Sequence, residues 1–187
     1  MPPSRERERE RVNAPKLSLS SLHKREWRPY SIGQIFDIRS GKRLESRNRK
    51  QGSRPFIGAL DNSNGVAGFT ADNNSSLDSN VLGVNYNGNG VCLGFYHPYE
   101  CIFSDDVKRF HLNKHEGNEF IYLFLKVAIQ QQKSKFGYLY KFNATRMARQ
   151  AIMLPATNSG EPDFIFMESI GRSITLRLLK RQAAFLD

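Results

Sequence analysis

Residues 27–43 read WRPYSIGQIFDIRSGKR. Trp27 and Tyr30 are aromatic anchors at the start of the globular sequence. Ile32, Ile35, Phe36 and Ile38 form an apolar set that belongs in a core. Gly33 to Arg39 reads as a short helical turn or a strand that runs into a turn at Ser40-Gly41. That turn delivers Lys42 and Arg43 together. Two cations carried on a tight turn by a rigid scaffold suit a phosphate contact.

Working outward, the chain has 187 residues, of which 39% are hydrophobic, enough for one good core and a small appendage. No apolar run approaches the roughly 20 residues that span a bilayer. The N-terminus, with RERERER at 5–11, does not have the charged-then-apolar form of a secretory leader. The expectation is a soluble intracellular protein with no membrane partner. Cys92 and Cys101 lack a CxxC spacing and read as two buried thiols. A zinc site would need two more ligands, and His97 and His111 are poorly spaced for it.

Charge is segregated along the chain. The net charge is +10, yet residues 61–100 contain four acids and no Lys or Arg. Residues 21–60 hold ten cations against three acids, and 101–150 hold nine against four. Two basic segments thus bracket a cation-free, Asn/Gly-rich one. A polyanion partner accounts for this, because neutralising phosphates releases counterions and drives affinity. Ordinary basic solubility is the bland alternative.

Residues 1–16 read as a disordered charged tail with no apolar face to dock it. From there to residue 161 the chain reads as one domain. Leu17, Leu19 and Leu22 open its surface. Strands are expected at Pro55–Ala59, Val66–Phe69, Val81–Tyr86, Val91–Tyr96, Cys101–Ser104, Val107–Leu112 and Ala151–Pro155. Between them lie a turn-forming loop at Asp61–Gly65, a polar loop at Asp72–Asp78 and a hairpin-type turn at Asn87–Gly90. Helical periodicity spans Glu116–Gln132, with a short helix at Thr145–Gln150. Pro162–Phe185 reads as a terminal helix with Pro162 in its first turn and a stripe of Phe164, Met167, Ile170, Ile174, Leu178 and Phe185. Gly171 reads as an interruption of it. Residues 162–187 are expected to be a spacer or dimerisation helix. Short strands first and helices mainly later give an α+β fold, a small twisted β-rich domain.

The ordered motifs W-x-x-x-x-I-G-x-I-F-x-I-x-S-G-K-R, P-F-I-G-A, N-x-N-G-V-x-G-F, V-N-Y-N-G, G-x-x-x-G-F-Y and F-S-D-D-V, closed by I-x-L-P, carry a resemblance. Over about Leu17 to Met167 the chain resembles a target recognition domain from the specificity subunit of type I restriction–modification systems. Recognition domains of combined restriction–methylation enzymes look similar. The resemblance implies sequence-specific binding of double-stranded DNA, in the service of a separate adenine-N6 methyltransferase subunit and a restriction partner. It implies no catalysis by this chain and no cofactor. Full specificity subunits carry two such domains joined by long helices. This chain is then either a half-size subunit, paired as a homodimer through its terminal helix, or part of a longer polypeptide.

Three groups are the candidates for DNA contact. Lys42, Arg43, Arg47, Arg49 and Lys50 suit phosphate, where they give affinity and register but no sequence information. Asn62, Asn64, Asn87 and Asn89 sit on Gly-rich turns. An Asn amide pairs bidentately with adenine, although Asn also belongs in turns for backbone reasons. The segment from Lys133 to Arg146 interleaves Lys133, Lys135, Lys141 and Arg146 with aromatics, with Tyr138 and Asn143 able to reach a groove. About half of its aromatics are expected in the core.

Two other classes compete. Glu100, Asp105, Asp106 and Lys108 end in D-x-K, so a Mg²⁺-dependent endonuclease using Glu100, Asp106 and Lys108 is the rival. Stacked aromatics on a basic sheet would suit a single-strand nucleic-acid module instead. A methyltransferase is not indicated. The chain lacks an N/D-P-P-Y/F tetrapeptide, and Gly88–Gly94 does not have the G-x-G-x-x-G spacing.

Overall fold

The opening run divides into three elements because its polar residues punctuate it. In the computed structural model, which describes residues 20–87, 90–136 and 143–186, a helical turn α1 (Ser21–Lys24) precedes strand β1 (Trp27–Ser31). Ser31 then closes a capping box with Gln34. Its Oγ accepts from the Gln34 amide at 3.3 Å, and its own N–H donates to Gln34 Oε1 at 2.8 Å. This fixes the single turn α2 (Ile32–Ile35), which puts Ile32 and Ile35 into the core. Strand β2 (Phe36–Ser40) follows. Both expected readings of Gly33–Arg39 therefore occur, one after the other.

Three sheets result among the described residues. Strands β3 (Arg54–Ile57), β4 (Val66–Thr70) and β7 (Ile102–Phe103) form one, with β3 antiparallel to β4 and parallel to β7. Strands β5 (Val81–Asn85), β6 (Gly94–His97) and β8 (Val107–Leu112) join β2 in a four-stranded antiparallel sheet of order β2-β8-β5-β6. Strand β9 (Ala151–Pro155) pairs antiparallel with β1, Trp27 opposite Pro155. Helix α3 (Glu119–Gln130) packs on β6 and β9, and the short helix α4 (Ala144–Arg149) packs on α2. Helix α5 (Phe164–Leu186) leaves along α3. The main core lies between the four-stranded sheet and α3, and holds Ile32, Phe36, Leu82, Phe110, Ile121 and Leu125.

Several boundaries move for physical reasons. Strand β6 starts at Gly94 rather than Val91 because the chain is still turning. The Cys92 N–H donates to the Asn85 carbonyl at 3.0 Å, the Leu93 N–H to Gly90 at 2.9 Å, and Cys92 has φ 65°. Helix α3 begins at Glu119 because the Asn118 side chain accepts from both the Phe120 and Ile121 amides at 3.1 Å. Pro162 lies outside α5, in a bridge with Ala156. Asp163 takes the capping place, its Oδ1 accepting from the Phe166 amide at 2.9 Å. Gly171 does not interrupt α5. It is the point where α5 touches α3, and a Cβ there would come within 2.8 Å of Phe120 Cβ and 3.0 Å of its carbonyl oxygen. The charged tail at 1–16, with Leu17 and Leu19, lies outside the described residues.

Two buried polar groups shape the domain. Arg109, 6% exposed on β8, donates to Asp78 Oδ2 at 2.8 Å and to the Ser40 carbonyl at 2.8 Å. His111 Nε2 also reaches Asp78 Oδ2 at 2.8 Å. One carboxylate thus ties the polar loop before β5 to the middle of β8 and, through Arg109, to the end of β2. His97 is fully buried, edge-on to Phe103 at 5.3 Å. Burial pushes its pKa down from 6.5 to about 4, so the ring is neutral in the fold. Cys92 and Cys101 are free, buried thiols, as the spacing suggested, each pushed up to about 12 mainly by burial.

Asp78→Ala leaves the Arg109 charge buried without its partner. A loss of about 3–5 kcal/mol is expected in urea unfolding, since breaking one side of a buried pair strands the other. His97 gives a pH signature. Its folded pKa is depressed, so its contribution is fully present above pH 6.5 and is lost as pH falls toward about 4. The loss over that window is about 3 kcal/mol. In His97→Phe that part of the pH dependence of stability should vanish, which comparing the two unfolding free energies from pH 7 to pH 4 will check.

Candidate nucleic-acid interface

The Ser40–Gly41 turn is held by backbone bonds as well as by the Arg109 guanidinium on the Ser40 carbonyl. The Gly41 N–H donates to the Val107 carbonyl at 3.2 Å and the Lys42 N–H to Phe103 at 2.8 Å. The strands pass so closely that a Cβ on Gly41 would sit 2.0 Å from the Ser104 carbonyl oxygen. Only glycine fits. The two cations that follow are therefore delivered from a fixed point. Lys42 is exposed and makes no ion pair among the described residues. Arg43 has two long contacts, 3.7 Å to Glu45 and 3.9 Å to Asp105, and Arg47 reaches Glu45 at 2.7 Å. Both guanidiniums are mostly exposed, 73% and 80%, so these pairs hold them weakly and a phosphate could replace the carboxylates.

The rest of that basic group divides. Lys50 is exposed, while the Arg49 guanidinium lies 3.8 Å from the centre of the Phe56 ring and donates to the Leu44 carbonyl at 3.4 Å. Arg49 is thereby committed to holding the loop.

Around the turn, other segments converge on the same end of the four-stranded sheet. Lys108 Nζ donates to Ser40 Oγ at 3.0 Å and lies 4.5 Å from the centre of the Tyr86 ring, and burial lowers its pKa. The Tyr86 N–H donates to the Asp106 carbonyl, and Asn87 Nδ2 to Asp106 Oδ1 at 3.3 Å. Asn85 is buried, and its Nδ2 donates to the Leu60 carbonyl at 2.7 Å, which binds the β3–β4 connection to the β5–β6 turn. Asn85 was missed as a site-building residue. Its only sequence signal is a polar residue in a strand that is otherwise apolar on both faces.

From Leu60 the β3–β4 connection runs across the β6 edge. Asn62 is exposed, with Nδ2 donating to Asp61 Oδ1 at 3.1 Å. Asn64 is exposed at φ 52°, with Nδ2 donating to Tyr99 Oη at 2.9 Å. Arg43 and Asn87 thus meet neighbouring acids, Asp105 and Asp106, at the sheet end, and Asn62 and Asn64 lie on the β3–β4 connection that Asn85 ties to that end through Leu60.

The second basic segment forms a separate cleft of about 620 Å³, lined by Lys135, Phe136, Asn143, Thr145, Arg146, Arg149 and Gln150. Lys133 and Lys135 are on a 3₁₀ turn, and Lys135 Nζ donates to Gln132 Oε1 at 2.8 Å. Asn143 caps α4, its Oδ1 accepting from the Arg146 amide at 3.1 Å. Arg149 and Gln150 join this cleft unforeseen, because only the packing of α4 on α2 brings them to it. Phe136 packs partly buried against the core. Asn89, Tyr138 and Lys141 lie outside the described residues.

The acidic residues of the nuclease alternative have other partners. Glu100 pairs with Arg54 at 2.8 Å, Asp105 faces Arg43, and Asp106 holds Asn87. Among the described residues no three His, Cys, Asp or Glu side chains come together as metal ligands, and no helix is long and apolar enough to cross a membrane.

On the far side lies an apolar groove of about 490 Å³ between α3, α5 and β1. Trp27, Phe124, Val127, Met153, Ile174 and Leu178 line it. Of the expected α5 stripe, Met167 and Ile170 are buried and Phe164 is packed against the core, while Ile174, Leu178 and Phe185 are exposed.

Comparison with known proteins gives a consistent result. A family model described as the type I restriction modification DNA specificity domain matches residues 24–183. The chain is 52% identical over 150 residues to the type II restriction enzyme BgcI specificity subunit S.BcgI of Heyndrickxia coagulans, covering 80% of this chain and 44% of that protein. In fold it is similar to a type I restriction-modification system S subunit from M. genitalium, with TM-score 0.61, 20% identity, and 87% of this chain against 41% of that one. It is also similar to the HsdS subunit from Thermoanaerobacter tengcongensis, with TM-score 0.56, 15% identity, and 86% against 39%. The chain thus spans less than half the length of each.

Proposed function

The chain belongs to the family of type I restriction modification DNA specificity domains, and from that membership we propose that it binds double-stranded DNA sequence-specifically and directs a separate adenine-N6 methyltransferase, with or without a restriction partner, to its site. The observation that carries this reading is the Ser40–Gly41 turn. It presents Lys42, unpaired among the described residues, and the loosely paired Arg43 from a rigid sheet end that also carries Asn87. Cations so placed position a phosphate backbone, and the neighbouring amides read bases. The Lys135–Arg149 cleft supplies a second basic contact.

In this reading the chain is non-catalytic and supplies address rather than chemistry, in the cytosol where its DNA lies. Helix α5 serves as spacer or pairing helix. Its exposed Ile174, Leu178 and Phe185 continue the line of the buried Met167 and Ile170, a pattern suited to a second helix. Through it the chain pairs with another copy or with a second domain, giving two half-sites.

Three outcomes are expected. The chain co-purifies with a methyltransferase, and methylome sequencing of cells lacking the chain shows one modified motif gone. Lys42→Ala weakens all duplexes alike and lowers the slope of log affinity against log salt by about one, the mark of a single lost phosphate contact. A change in preferred sequence for that variant would contradict the assignment of Lys42 to backbone. The purified chain with Mg²⁺ leaves duplex DNA intact. Cleavage that Asp106→Ala abolishes would overturn the non-catalytic reading.

A further inference from the structure

The β3–β4 connection holds Ser63, Asn64 and Gly65 at φ 50°, 52° and 74°, three successive left-handed residues of which only the glycine adopts that conformation freely. Such backbone persists only where the surroundings over-determine it. Here they do. The Gly58 N–H donates to the Gly65 carbonyl at 2.9 Å and the Gly65 N–H to Asn62 at 2.8 Å. A Cβ on Gly65 would come within 3.3 Å of both Ile57 and Phe95. The result is that Asn64, exposed at the tip, donates from Nδ2 to Tyr99 Oη at 2.9 Å.

Tyr99 is itself held from below. His97 Nδ1 lies 3.3 Å from the same hydroxyl, and the two rings meet edge to face at 5.7 Å and 73°. His97 is fully buried, and its Nε2 has no hydrogen-bond partner among the described residues. A buried N–H left empty is rarer than a buried acceptor left empty. The proton therefore belongs on Nδ1, where it donates to Tyr99 Oη. That oxygen then accepts twice, from His97 and from Asn64, and its own O–H points outward, toward the 38% of Tyr99 that is exposed. The Asn64 Oδ1 and its second Nδ2 hydrogen have no hydrogen-bond partner among the described residues. A fixed acceptor and donor on one amide plane match the N6–H and N7 of adenine in the major groove.

We infer that Asn64 reads an adenine of the bound duplex, and that Tyr99 and His97 are positioning residues that hold its amide in the plane required. This rests on the double-stranded DNA reading. A free Asn on a loop has several rotamers to lose on binding. One anchored through a phenol to a buried imidazole has already lost them, so the contact gains in both affinity and selectivity.

The test is selection from a library of duplexes with a randomised central segment, using the chain together with its modification partner where one co-purifies. The wild type enriches a motif. Asn64→Gly, which suits the left-handed backbone, flattens the preference at one A·T position by about tenfold. Tyr99→Phe, which keeps the ring on His97 and removes the hydroxyl, flattens that same position alone; it also leaves the buried His97 N–H without its partner, so a Tm several degrees lower accompanies it. The double variant is no worse than Asn64→Gly alone, as a shared contact requires. Tyr99→Phe retaining every preference, or losing all positions together, overturns the positioning role while the DNA reading stands. A wild-type chain that enriches no sequence overturns both.

Discussion

A buried guanidinium must have its counter-charge beside it, and Arg109 draws much of this domain into place by that requirement. Asp78 supplies the charge, the Ser40 carbonyl takes a second donor, and His111 shares the carboxylate. Through these contacts the polar loop that precedes β5, the end of β2 and the middle of β8 have one allowed arrangement. The Ser40–Gly41 turn begins at the carbonyl that Arg109 holds. The placement of Lys42 and Arg43 therefore depends on a charge that never reaches the surface. Of the basic residues in the segment 101–150, one of the most consequential is buried inside the domain.

How much of this was legible in the sequence depended on range. The helical turn and strand after Gly33, the strand runs around Val66 and Val81, and the helical period that begins near Glu116 were readable because the residues that decide them are neighbours. Gly171 was not. Within its own helix it looks like a break, and only Phe120 on another helix explains it. The start of β6 failed for the same reason, since the left-handed Cys92 answers to the Asn85 carbonyl across the hairpin. Arg109 and Arg49 counted toward a basic surface in the sequence. Burial at a strand and stacking on Phe56 removed them from it, and neither periodicity nor charge could have told.

The candidate site shows the same division. Residue types and their grouping on turns were visible, and Lys42, Arg43, Asn62, Asn64 and Asn87 do sit on turns and loops. What the side chains do there was not visible. Asn87 steadies Asp106, Asn143 caps a helix, Asn85 bridges two turns from inside, and Asn64 is pinned by a phenol. One residue type fills four roles because its amide is both donor and acceptor on a short stem.

The pairing of β1 with β9 has a consequence for architecture. Trp27 lies opposite Pro155, Ala156 N–H donates to the Glu26 carbonyl, and Tyr30 reaches the Gly160 carbonyl. The first and last of the described strands lie side by side, and α5, packed on α3, follows them. Whatever is joined before Trp27 and whatever follows Pro155 start from the same spot, so the module hangs from its chain like a bead on a short loop of thread. Its loops are free to vary without disturbing the line of the thread, and identical fastenings would accept a module with different loops.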